Sequence, residues 1–428
     1  MSIWRIGTAI MFAASIAGVS HAQPAPMSAR IGGVLVGDLT LDTIYLTRDL
    51  NGDGDVSDPG ETTVFFDDTN ASGLAGSTGN IFAIFQSVDR SVYFADGGSD
   101  TVYRLRDLNN DRDAQDAGEA AVWFSAANAE GFGLPTPNGI WQGADGAVYI
   151  LNAGTGSNPS DAIYRTQDLN ADGDADDLGE ATVWFDLQTL VTDSSAFDLV
   201  FIGDVAYFSD TVGPLPDAVY RAEDLDRSGT IDAGEFNVFA DESSPFGLQI
   251  GTGLVTDGTS LFIGESLASA DQPLYRLTDL DGSGAIDDAG EVATVWTESQ
   301  VPAGFELGSS FGLAIGPDAR LALGSAGATT ADNVFLLQDL NADGDYLDDG
   351  ETTVWANGGA GSGDFVDNPR ALEFALPKVG DLNGDDLVDG ADLGLLLAAW
   401  GSSDVLADLN GDGTVDGADL GVLLANWD

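Results

Sequence analysis

Acidic stretches of nearly constant composition recur eight times along this chain, and their residue types are those that bind a hard cation. The first copy reads Asp49-Leu50-Asn51-Gly52-Asp53-Gly54-Asp55 and closes at Gly60-Glu61. Oxygen-bearing side chains alternate along it, a glycine lies at the turn, and a carboxylate follows. Because Ca²⁺ takes roughly six to eight oxygen ligands, a short loop must fold back on itself to supply them. The pattern predicts calcium-binding loops rather than solvated turns.

The copies fall into two groups. Six long loops, called loops one to six, begin at Asp49, Asp107, Asp168, Asp224, Asp279 and Asp339, and two short ones, called tail loops one and two, begin at Asp381 and Asp408. Loop four has the twelve-residue spacing of an EF-hand, and the other long loops place the closing glutamate one residue later. The predicted ligands of the long loops are Asp49, Asn51, Asp53, Asp55 and Glu61; Asp107, Asn109, Asp111, Asp113 and Glu119; Asp168, Asn170, Asp172, Asp174 and Glu180; Asp224, Asp226, Ser228, Thr230 and Glu235; Asp279, Asp281, Ser283 and Glu291; and Asp339, Asn341, Asp343, Asp345 and Glu351.

The first residues have the features of a secretion signal. Arg5 supplies a positive charge, Ile6–Val19 is apolar, and Ser20-His21-Ala22 forms a small-x-small cleavage site before Gln23. We expect residues 1–22 to be removed, residues 23–30 to form a linker, and the mature chain to be secreted or held at the cell surface. No later stretch predicts a membrane span.

The composition excludes several classes of function. The chain has no cysteine, and its single histidine, His21, lies in the predicted signal. Disulfides, thiol nucleophiles, histidine relays and Cys/His zinc sites are therefore excluded from the mature protein. A net charge of −57, from 14 Lys+Arg and 71 Asp+Glu, repels nucleic acid and anionic membranes. An exported protein without disulfides needs another stabilising element, and bound metal would provide it.

Between residues 31 and 376 a unit of about 58 residues repeats around the long loops. Each unit contains short apolar segments typical of antiparallel strands, such as Asn138-Gly139-Ile140-Trp141. The third segment places an aromatic residue four positions before the first loop aspartate. These aromatic residues are Tyr45, Tyr103, Tyr164, Tyr220, Tyr275 and Phe335. Four strands per repeat predict a mainly β fold, a six-bladed β-propeller with all six long loops on one face.

The two ends of this region predict a closed ring. The first unit lacks a first strand, whereas Ala371–Leu376 follows the sixth loop as a strand without a unit of its own. If one blade is built from both ends, the ring closes and no sheet edge stays open. The alternative, an open β-solenoid, would not need two ends that complement each other in this way. Segments such as Tyr93–Arg104 resemble the NHL-type repeats of six-bladed propellers, and this resemblance implies a fold but no function.

Residues 377–428 follow a different pattern. Each tail loop leads into a segment with apolar residues at i, i+3, i+4 and i+7, which predicts an amphipathic helix. We expect the two helices to bury these stripes against each other, with metal stabilising so small a module. The stripes are Leu393, Leu396, Leu397 and Trp400, and Leu420, Leu423, Leu424 and Trp427.

The tail resembles a type I dockerin, a small all-α module of paired calcium loops and helices that docks onto cohesin domains. The likeness rests on loops 27 residues apart, each with an aspartate at its twelfth position and a helix after it. It implies two further calcium sites and a cohesin-like or cell-surface partner. The implied ligands are Asp381, Asn383, Asp385, Asp389 and Asp392 with the Leu387 carbonyl, and Asp408, Asn410, Asp412, Asp416 and Asp419 with the Thr414 carbonyl. Dockerins often carry partner-reading hydroxyl residues where this chain has Gly390-Ala391 and Gly417-Ala418.

Two functions remain open. The first is a non-catalytic propeller with up to eight calcium sites that binds a glycan or protein, or serves as a scaffold, and attaches through its tail. The alternative is a polysaccharide-degrading hydrolase or lyase with a dockerin, which would need two carboxylates free of metal. Candidates are the unrepeated Asp198, Asp210 and Glu265 and the repeated Asp42, Asp100, Asp161, Asp217 and Asp332. A calcium-dependent phytase is disfavoured, because a polyphosphate needs many basic groups and Lys378 is the only lysine.

Overall fold

A computed structural model describes most of the chain beyond residue 31. The described residues are 32–74, 80–154, 161–189, 195–210, 217–244, 253–265, 272–316, 318–327, 332–358, 366–385, 387–404 and 406–428. The predicted secretion signal and linker lie outside these residues.

The described chain forms six four-stranded antiparallel sheets, which confirms the predicted six-bladed propeller. From the innermost to the outermost strand, the first three blades are β24 (Pro369–Ala375), β1 (Gly33–Asp38), β2 (Thr43–Thr47) and β3 (Thr62–Phe66); β4 (Ile81–Gln86), β5 (Val92–Asp96), β6 (Thr101–Leu105) and β7 (Ala120–Ser125); and β8 (Pro137–Gln142), β9 (Val148–Ala153), β10 (Asp161–Thr166) and β11 (Ala181–Asp186). Blades four to six are β12 (Ala196–Ile202), β13 (Val205–Asp210), β14 (Ala218–Ala222) and β15 (Phe236–Asp241); β16 (Gly253–Thr256), β17 (Leu261–Gly264), β18 (Leu274–Leu277) and β19 (Val292–Trp296); and β20 (Ser309–Ile315), β21 (Leu321–Ala326), β22 (Asn333–Leu337) and β23 (Thr352–Asn357). Short 3₁₀ turns lie at Leu187–Thr189, Ala289–Glu291 and Glu298–Gln300.

The sheets are arranged in a ring around a central channel. Each inner strand contacts the inner strands of the two neighbouring blades, and β20 contacts β24 in the same way. β24 pairs antiparallel with β1, from Gly33 opposite Ala375 to Asp38 opposite Pro369. Blade one therefore contains the first and the last strand of the described propeller. Every long loop connects the third and fourth strands of its blade, so the six loops share one face.

Apolar side chains fill the space between neighbouring blades. Because each blade is packed on both faces, β1 and β5 are buried at every position. Aromatic rings cross the blade boundaries, as where the Phe66 and Phe94 centroids lie 5.4 Å apart, and such pairs add to the free energy of apolar burial. The aromatic residue that precedes each long loop is buried in five blades and partly buried at Tyr275.

One residue of each long loop joins that loop to the preceding blade. The eighth loop residue is buried, and its backbone N–H donates to a carbonyl of the preceding outer strand. Val56 donates to Trp355 over 3.0 Å, across the boundary between blades six and one. The other pairs are Ala114 to Phe65, Ala175 to Trp123, Ile231 to Trp184, Ile286 to Phe239 and Tyr346 to Val295. All six blade boundaries therefore carry the same contact.

The boundary between blades six and one also carries a side-chain hydrogen bond. Trp355 Nε1 of β23 donates to Thr47 Oγ1 of β2 over 2.9 Å, and both side chains are buried. Trp123 of blade two makes the equivalent bond to Thr166 of blade three over 3.0 Å. The ends of the propeller region therefore meet through contacts found between blades that are consecutive in sequence.

Two helices, α1 (Gly390–Ala398) and α2 (Gly417–Ala425), follow the propeller. Each begins after an aspartate N-cap, Asp389 or Asp416, whose side chain accepts the N–H two residues later. Each cap also forms a capping box with Asp392 or Asp419, so backbone donors at the helix start are satisfied. Among the described residues, no helix has the length and hydropathy needed to cross a bilayer.

The predicted burial of both apolar stripes is only partly correct. Leu396 and Leu423 are fully buried and share a core with Val388 and Val415 of the tail loops. The outer members remain exposed, at 53% for Leu397, 47% for Trp400, 53% for Leu424 and 42% for Trp427. The helices have nine residues each, so both tryptophans lie beyond their last turn and the contact between helices covers only one side of each stripe.

The tail lies against blade two. Arg112 Nη2 of loop two is 3.9 Å from Asp381 Oδ2 of tail loop one. Asn110 Nδ2 donates to Asn426 Oδ1 over 3.4 Å. Within the tail, Lys378 Nζ lies 2.5 Å from Asp428 Oδ1, so the connecting segment is paired with the last residue of the sequence. Loop two is therefore in contact with the tail as well as with blade one.

Candidate metal sites

The first aspartate of each long loop bends the loop around its own carboxylate. Asp49 accepts the N–H groups of Gly52 and Gly54 over 2.6 and 2.9 Å. The equivalent acceptors are Asp107, Asp168, Asp224, Asp279 and Asp339. The sixth loop residue has a φ between +78° and +110°, a region that glycine adopts readily. It is glycine in five long loops and Arg112 in loop two.

The closing glutamate folds back onto the start of its loop. Glu61 is buried, its Oε1 accepts the N–H of Leu50 over 3.0 Å, and its Oε2 accepts the N–H of Asp58 over 3.1 Å. The second loop residue donates in the same way to Glu119, Glu180, Glu235, Glu291 and Glu351. The one-residue difference between loop four and the others therefore leaves this carboxylate in the same place. Backbone N–H donors, that of Asp288 foremost, hold the pKa of Glu291 below its ordinary value.

The third-position asparagines connect the two halves of their loops. Asn51 Oδ1 accepts the N–H of Asp53 over 2.8 Å, and Asn51 Nδ2 donates to the carboxylates of Asp53 and Asp58. Asn109, Asn170 and Asn341 make the same two side-chain contacts. The tenth-position aspartates Asp58, Asp116, Asp177 and Asp348 were not among the predicted ligands. Their recurrence at a fixed distance after the first aspartate is the sequence signal for them.

The seventh position closes the turn. Asp55 Oδ1 accepts the N–H of Ser57 over 2.9 Å, and Asp113, Asp174 and Asp345 accept equivalent N–H groups. In loop four, Ser228 Oγ lies 3.1 Å from Thr230 Oγ1. The seventh residue therefore helps to fix the loop backbone where aspartate occupies it.

Three long loops and one tail loop bring three carboxylates together. In each set, one oxygen from each acid lies within 4.8 Å of the others. Among the described residues, the sets are Asp172, Asp174 and Glu180; Asp224, Asp226 and Glu235; Asp279, Asp281 and Glu291; and Asp381, Asp385 and Asp392, and loop five also brings Asp281, Asp287 and Asp288 together. Carboxylates this close repel one another, and a cation among them would remove the repulsion. These clusters are suited to a metal ion.

In the tail loops, an aspartate occupies the place of the glutamate. Asp392 accepts the N–H groups of Leu382 and Asp389 over 2.7 and 2.8 Å. Asp419 accepts those of Asn410 and Asp416 over 3.1 and 2.7 Å, and both carboxylates are fully buried. Both aspartates are the third residues of the helices that follow, so the same carboxylate closes the loop and takes part in the capping box.

The remaining tail positions repeat the pattern of the long loops. Asp381 and Asp408 accept N–H groups of Gly384 and Gly413 over 2.7 and 2.6 Å. Asn383 and Asn410 donate from Nδ2 to Asp385 and Asp412, which in turn accept the N–H groups of Leu387 and Thr414 over 3.0 Å. Asp389 and Asp416 cap the helices.

Arginines of one blade lie beside the loop of the next. Arg276 Nη1 donates to the Gly344 carbonyl over 2.9 Å, and a Cβ at Gly173 would lie 2.9 Å from Arg104 Nη2. Glycine at the sixth position therefore leaves room for a neighbouring guanidinium in these loops. Ion pairs at the surface contribute little individually, so these arginines screen the acidic loops rather than hold them together.

The repeated aspartates outside the loops occupy equivalent places in their blades. They lie between the second and third strands of their blades, where Asp42 and Asp100 adopt φ values of +51° and +52°. Asp332 Oδ1 accepts the N–H of Gly327 over 2.8 Å, and Asp161 is buried at the start of β10. Asp217 occupies the same place before β14, and burial, followed by the charges of Glu242 and Asp210, raises its pKa.

Asp210 has equivalents in other blades, contrary to its prediction as an unrepeated acid. It ends β13, and its Oδ1 accepts the N–H of Ser195 over 3.2 Å. Asp38 and Asp96 end the second strands of blades one and two and also accept backbone N–H groups. Glu265 is buried directly after β17. Asp38, Asp96 and Asp210 thus accept backbone N–H groups on the face opposite the acidic loops.

Asp198 lies in the central channel, beside a cavity of about 70 Å³. A bulge leaves it outside the β12–β13 pairing with a φ of +41°, and its Oδ2 accepts the N–H of Leu254 over 3.0 Å. Burial raises the pKa of Asp198 to about 7, against the opposing effects of that N–H and of Arg370. The Arg370 guanidinium lies 4.8 Å from the centroid of the Phe82 ring.

Glu373 of β24 lines the same cavity. Burial raises its pKa to about 8, and a hydrogen bond from the Gln86 backbone opposes this rise. Glu373 was not among the sequence candidates, because a single acid within an apolar strand belongs to no repeat or motif. Because its pKa lies above 7, the Glu373 carboxyl is largely protonated at neutral pH.

Comparisons with known proteins leave the function open. No family model and no curated protein matches the chain. Among solved structures, it is similar to virginiamycin B lyase from Staphylococcus aureus, with 15% identity over 74% of this chain and 83% of that one and a TM-score of 0.41. It is also similar to TolB from Acinetobacter baumannii, with 11% identity over 73% of this chain and 62% of that one and a TM-score of 0.42. The propeller assignment rests on the strand pairing and not on these similarities.

The raised pKa of Glu373 predicts a pH-dependent stability. In the folded chain this carboxyl holds its proton up to about pH 8, whereas an ordinary glutamate loses it near pH 4.5, so folding is penalised increasingly as pH rises between these values. We expect Glu373→Gln to leave the free energy of unfolding nearly unchanged at pH 5 and to raise it by a few kcal/mol at pH 9, since one pKa unit corresponds to about 1.4 kcal/mol.

Urea unfolding in calcium at both pH values measures this difference. The control is Glu242→Gln, which neutralises an exposed acid and should change stability little at either pH. An equal effect of Glu373→Gln at pH 5 and pH 9 would show that Glu373 titrates normally.

Proposed function

We propose that this protein is an exported calcium-binding propeller that serves binding or scaffolding rather than catalysis. The observation that carries the proposal is the hydrogen bond from the eighth residue of every long loop to the preceding blade. An ion that orders the loop would also hold two neighbouring blades together. With six such loops, calcium would stabilise every blade boundary. This use of the metal is structural, and it leaves the propeller face opposite the acidic loops, and the tail, available to partners.

The chemistry of the loops supports calcium over other metals. Their side chains offer carboxylate, amide and hydroxyl oxygens without nitrogen or sulfur ligands from histidine or cysteine, a set that suits a hard cation. The first, third, fifth and seventh residues and the closing acid would hold the ion. The tenth-position aspartates, such as Asp58, lie next to this set and would complete it directly or through water.

The exposed apolar side chains of the tail support attachment to a partner. Leu397 and Trp400 on one half correspond to Leu424 and Trp427 on the other, 27 residues later. All four stay about half exposed while the core of the tail is filled by Leu396 and Leu423. Buried aromatic anchors contribute most of the binding energy in many interfaces. We propose that this surface docks onto a cohesin-like or cell-surface protein, as the resemblance to dockerins implies.

The glycan-degrading alternative has less support. The cavity beside Asp198 is about 70 Å³, which is too small to take a polysaccharide chain. The carboxylates of Asp210 and Asp332 accept the backbone N–H groups of Ser195 and Gly327, respectively. A hydrolase would need two carboxylates placed across a glycosidic bond in an open groove.

Removal of calcium tests the structural role of the metal. We expect excess EGTA to lower the melting temperature of the mature chain by more than about 10 °C relative to millimolar calcium, because an ion bound only to the folded state stabilises it and its loss leaves repelling carboxylates at all blade boundaries. Differential scanning calorimetry with matched ionic strength measures the shift. An unchanged melting temperature in EGTA would refute the proposal.

A single loop provides the matched variant. Glu351→Gln in loop six should remove one calcium from the stoichiometry, or weaken it at least about tenfold, because one charged ligand is lost. The control Asp204→Asn neutralises an exposed acid in the turn between β12 and β13 and should leave calcium binding unchanged. Isothermal titration calorimetry reports both the number and the affinity of the sites.

Alanine at both tail tryptophans tests the docking surface. Trp400→Ala with Trp427→Ala should leave the melting temperature in calcium nearly unchanged, since both side chains are already 42–47% exposed. The same change should weaken binding to immobilised type I cohesin domains at least about tenfold. Leu178→Ala, at an 81% exposed position on the propeller, is the control. Failure of the unmodified calcium-loaded protein to bind any cohesin in the panel would remove the cohesin assignment.

A further inference from the structure

A cavity of about 410 Å³ lies where the tail meets blades one and two. Its lining includes the apolar Leu46 and Leu376 and the basic Arg90, Arg106, Arg112 and Lys378. In a chain with a net charge of −57, this cavity is unusual because four cations line it beside only two carboxylates, Asp89 and Asp107. The volume is within the range of small-molecule sites, roughly 300–1,000 Å³.

Most of these cations have carboxylate neighbours, and Arg90 does not. Arg106 Nη2 lies 3.6 Å from Asp89 Oδ2, and Lys378 and Arg112 lie near Asp428 and Asp381, respectively. Asp107, which also lines the cavity, turns its carboxylate to N–H groups of its own loop.

Arg90 is the one of these four cations that has no carboxylate partner among the described residues. Within the described part of the chain, its side chain makes one hydrogen bond, from Nε to the Pro377 carbonyl over 3.4 Å, and no carboxylate lies at salt-bridge distance. Burial, and then the charge of Arg112, lower the pKa of Arg90. A partly buried cation next to a second cation is an unfavourable arrangement that a bound anion would relieve.

The backbone at both arginines is unusual. Arg90 and Arg112 have φ values of +68° and +78°, in the left-handed region that favours glycine. The residue equivalent to Arg112 is glycine in the other five long loops. Both guanidinium groups are therefore placed at one cavity from backbone positions that glycine adopts more readily.

We propose that this cavity binds an organic carboxylate, with Arg90 and Arg112 facing its oxyanion and the apolar floor contacting the rest of the molecule. The planar guanidinium group presents parallel N–H donors that match a carboxylate. Partial removal from water strengthens this attraction. Arg106 and Lys378 raise the local potential from the rim. The proposal does not depend on calcium, although calcium in loop two and tail loop one would add positive charge beside the cavity.

Benzoate and its neutral analogue benzamide are suitable probes. We expect calorimetric titration of the full mature chain in calcium, at constant ionic strength, to show one benzoate site and no benzamide binding. Arg112→Gly should weaken benzoate at least about tenfold, and glycine is compatible with this backbone because the sister loops carry it. Arg90→Gln should have a similar effect. Arg227→Gln, which removes an exposed arginine of loop four, should have none.

The outcomes distinguish an oxyanion site from a merely apolar cavity and from a cavity that binds neither probe. Loss of benzoate binding in Arg112→Gly with an unchanged melting temperature supports the oxyanion site, even if Arg90→Gln fails to fold. Equal affinity for benzoate and benzamide would mean a merely apolar cavity and would overturn the proposal. Absence of benzoate binding, or equal binding by the unmodified chain and Arg112→Gly, would also overturn it.

Discussion

Each acidic loop donates one backbone hydrogen bond, from its eighth residue, to the outer strand of the preceding blade. Through this bond, the conformation of a highly charged loop affects how two blades pack together. Val56 and its equivalents are buried apolar residues in otherwise polar loops, so each loop is fixed at one point to a neighbour. The rest of the same loop crowds carboxylates around its centre. Ordering of the loops and contact between blades therefore involve the same local structure, and a cation that relieved the repulsion between carboxylates would also stabilise the contact between blades.

The tail uses the same loop differently. Its eighth-position residues, Val388 and Val415, are buried in the core under the two helices rather than against a neighbouring blade. The leucine at the second loop position differs in exposure between the two kinds of loop. Leu382 of the tail is buried, whereas Leu108 of the propeller is 66% exposed. One loop sequence thus supports a strand hairpin or a helix start, and the apolar residues around it determine which neighbour it packs against.

Much of this arrangement could be predicted from the sequence, because it repeats. The strands, the aromatic residue before each loop and the closing acids recur at fixed spacing, and each position has one physical role. The contacts between blades were not predicted, since spacing within a repeat does not show which neighbouring segment a residue touches. Glu373, Arg90 and Arg112 have no equivalent residue of the same type in the other repeats. The burial of Glu373 and the positive φ of Arg112 are seen only in the three-dimensional structure. The exposure of Trp400 and Trp427 depended on how far two short helices could cover each other.

The central claim, that the acidic loops hold neighbouring blades together through a bound cation, is tested most directly by hydrogen exchange. Amides of the eighth loop residues and of the outer strands they contact would be followed by mass spectrometry in calcium and in chelator. We predict that chelation removes protection from loop and preceding outer strand together, as for Val56 with β23, while fully buried strands such as β5 lose it later. Loss of protection in the loops alone, with the outer strands still protected, would contradict the account.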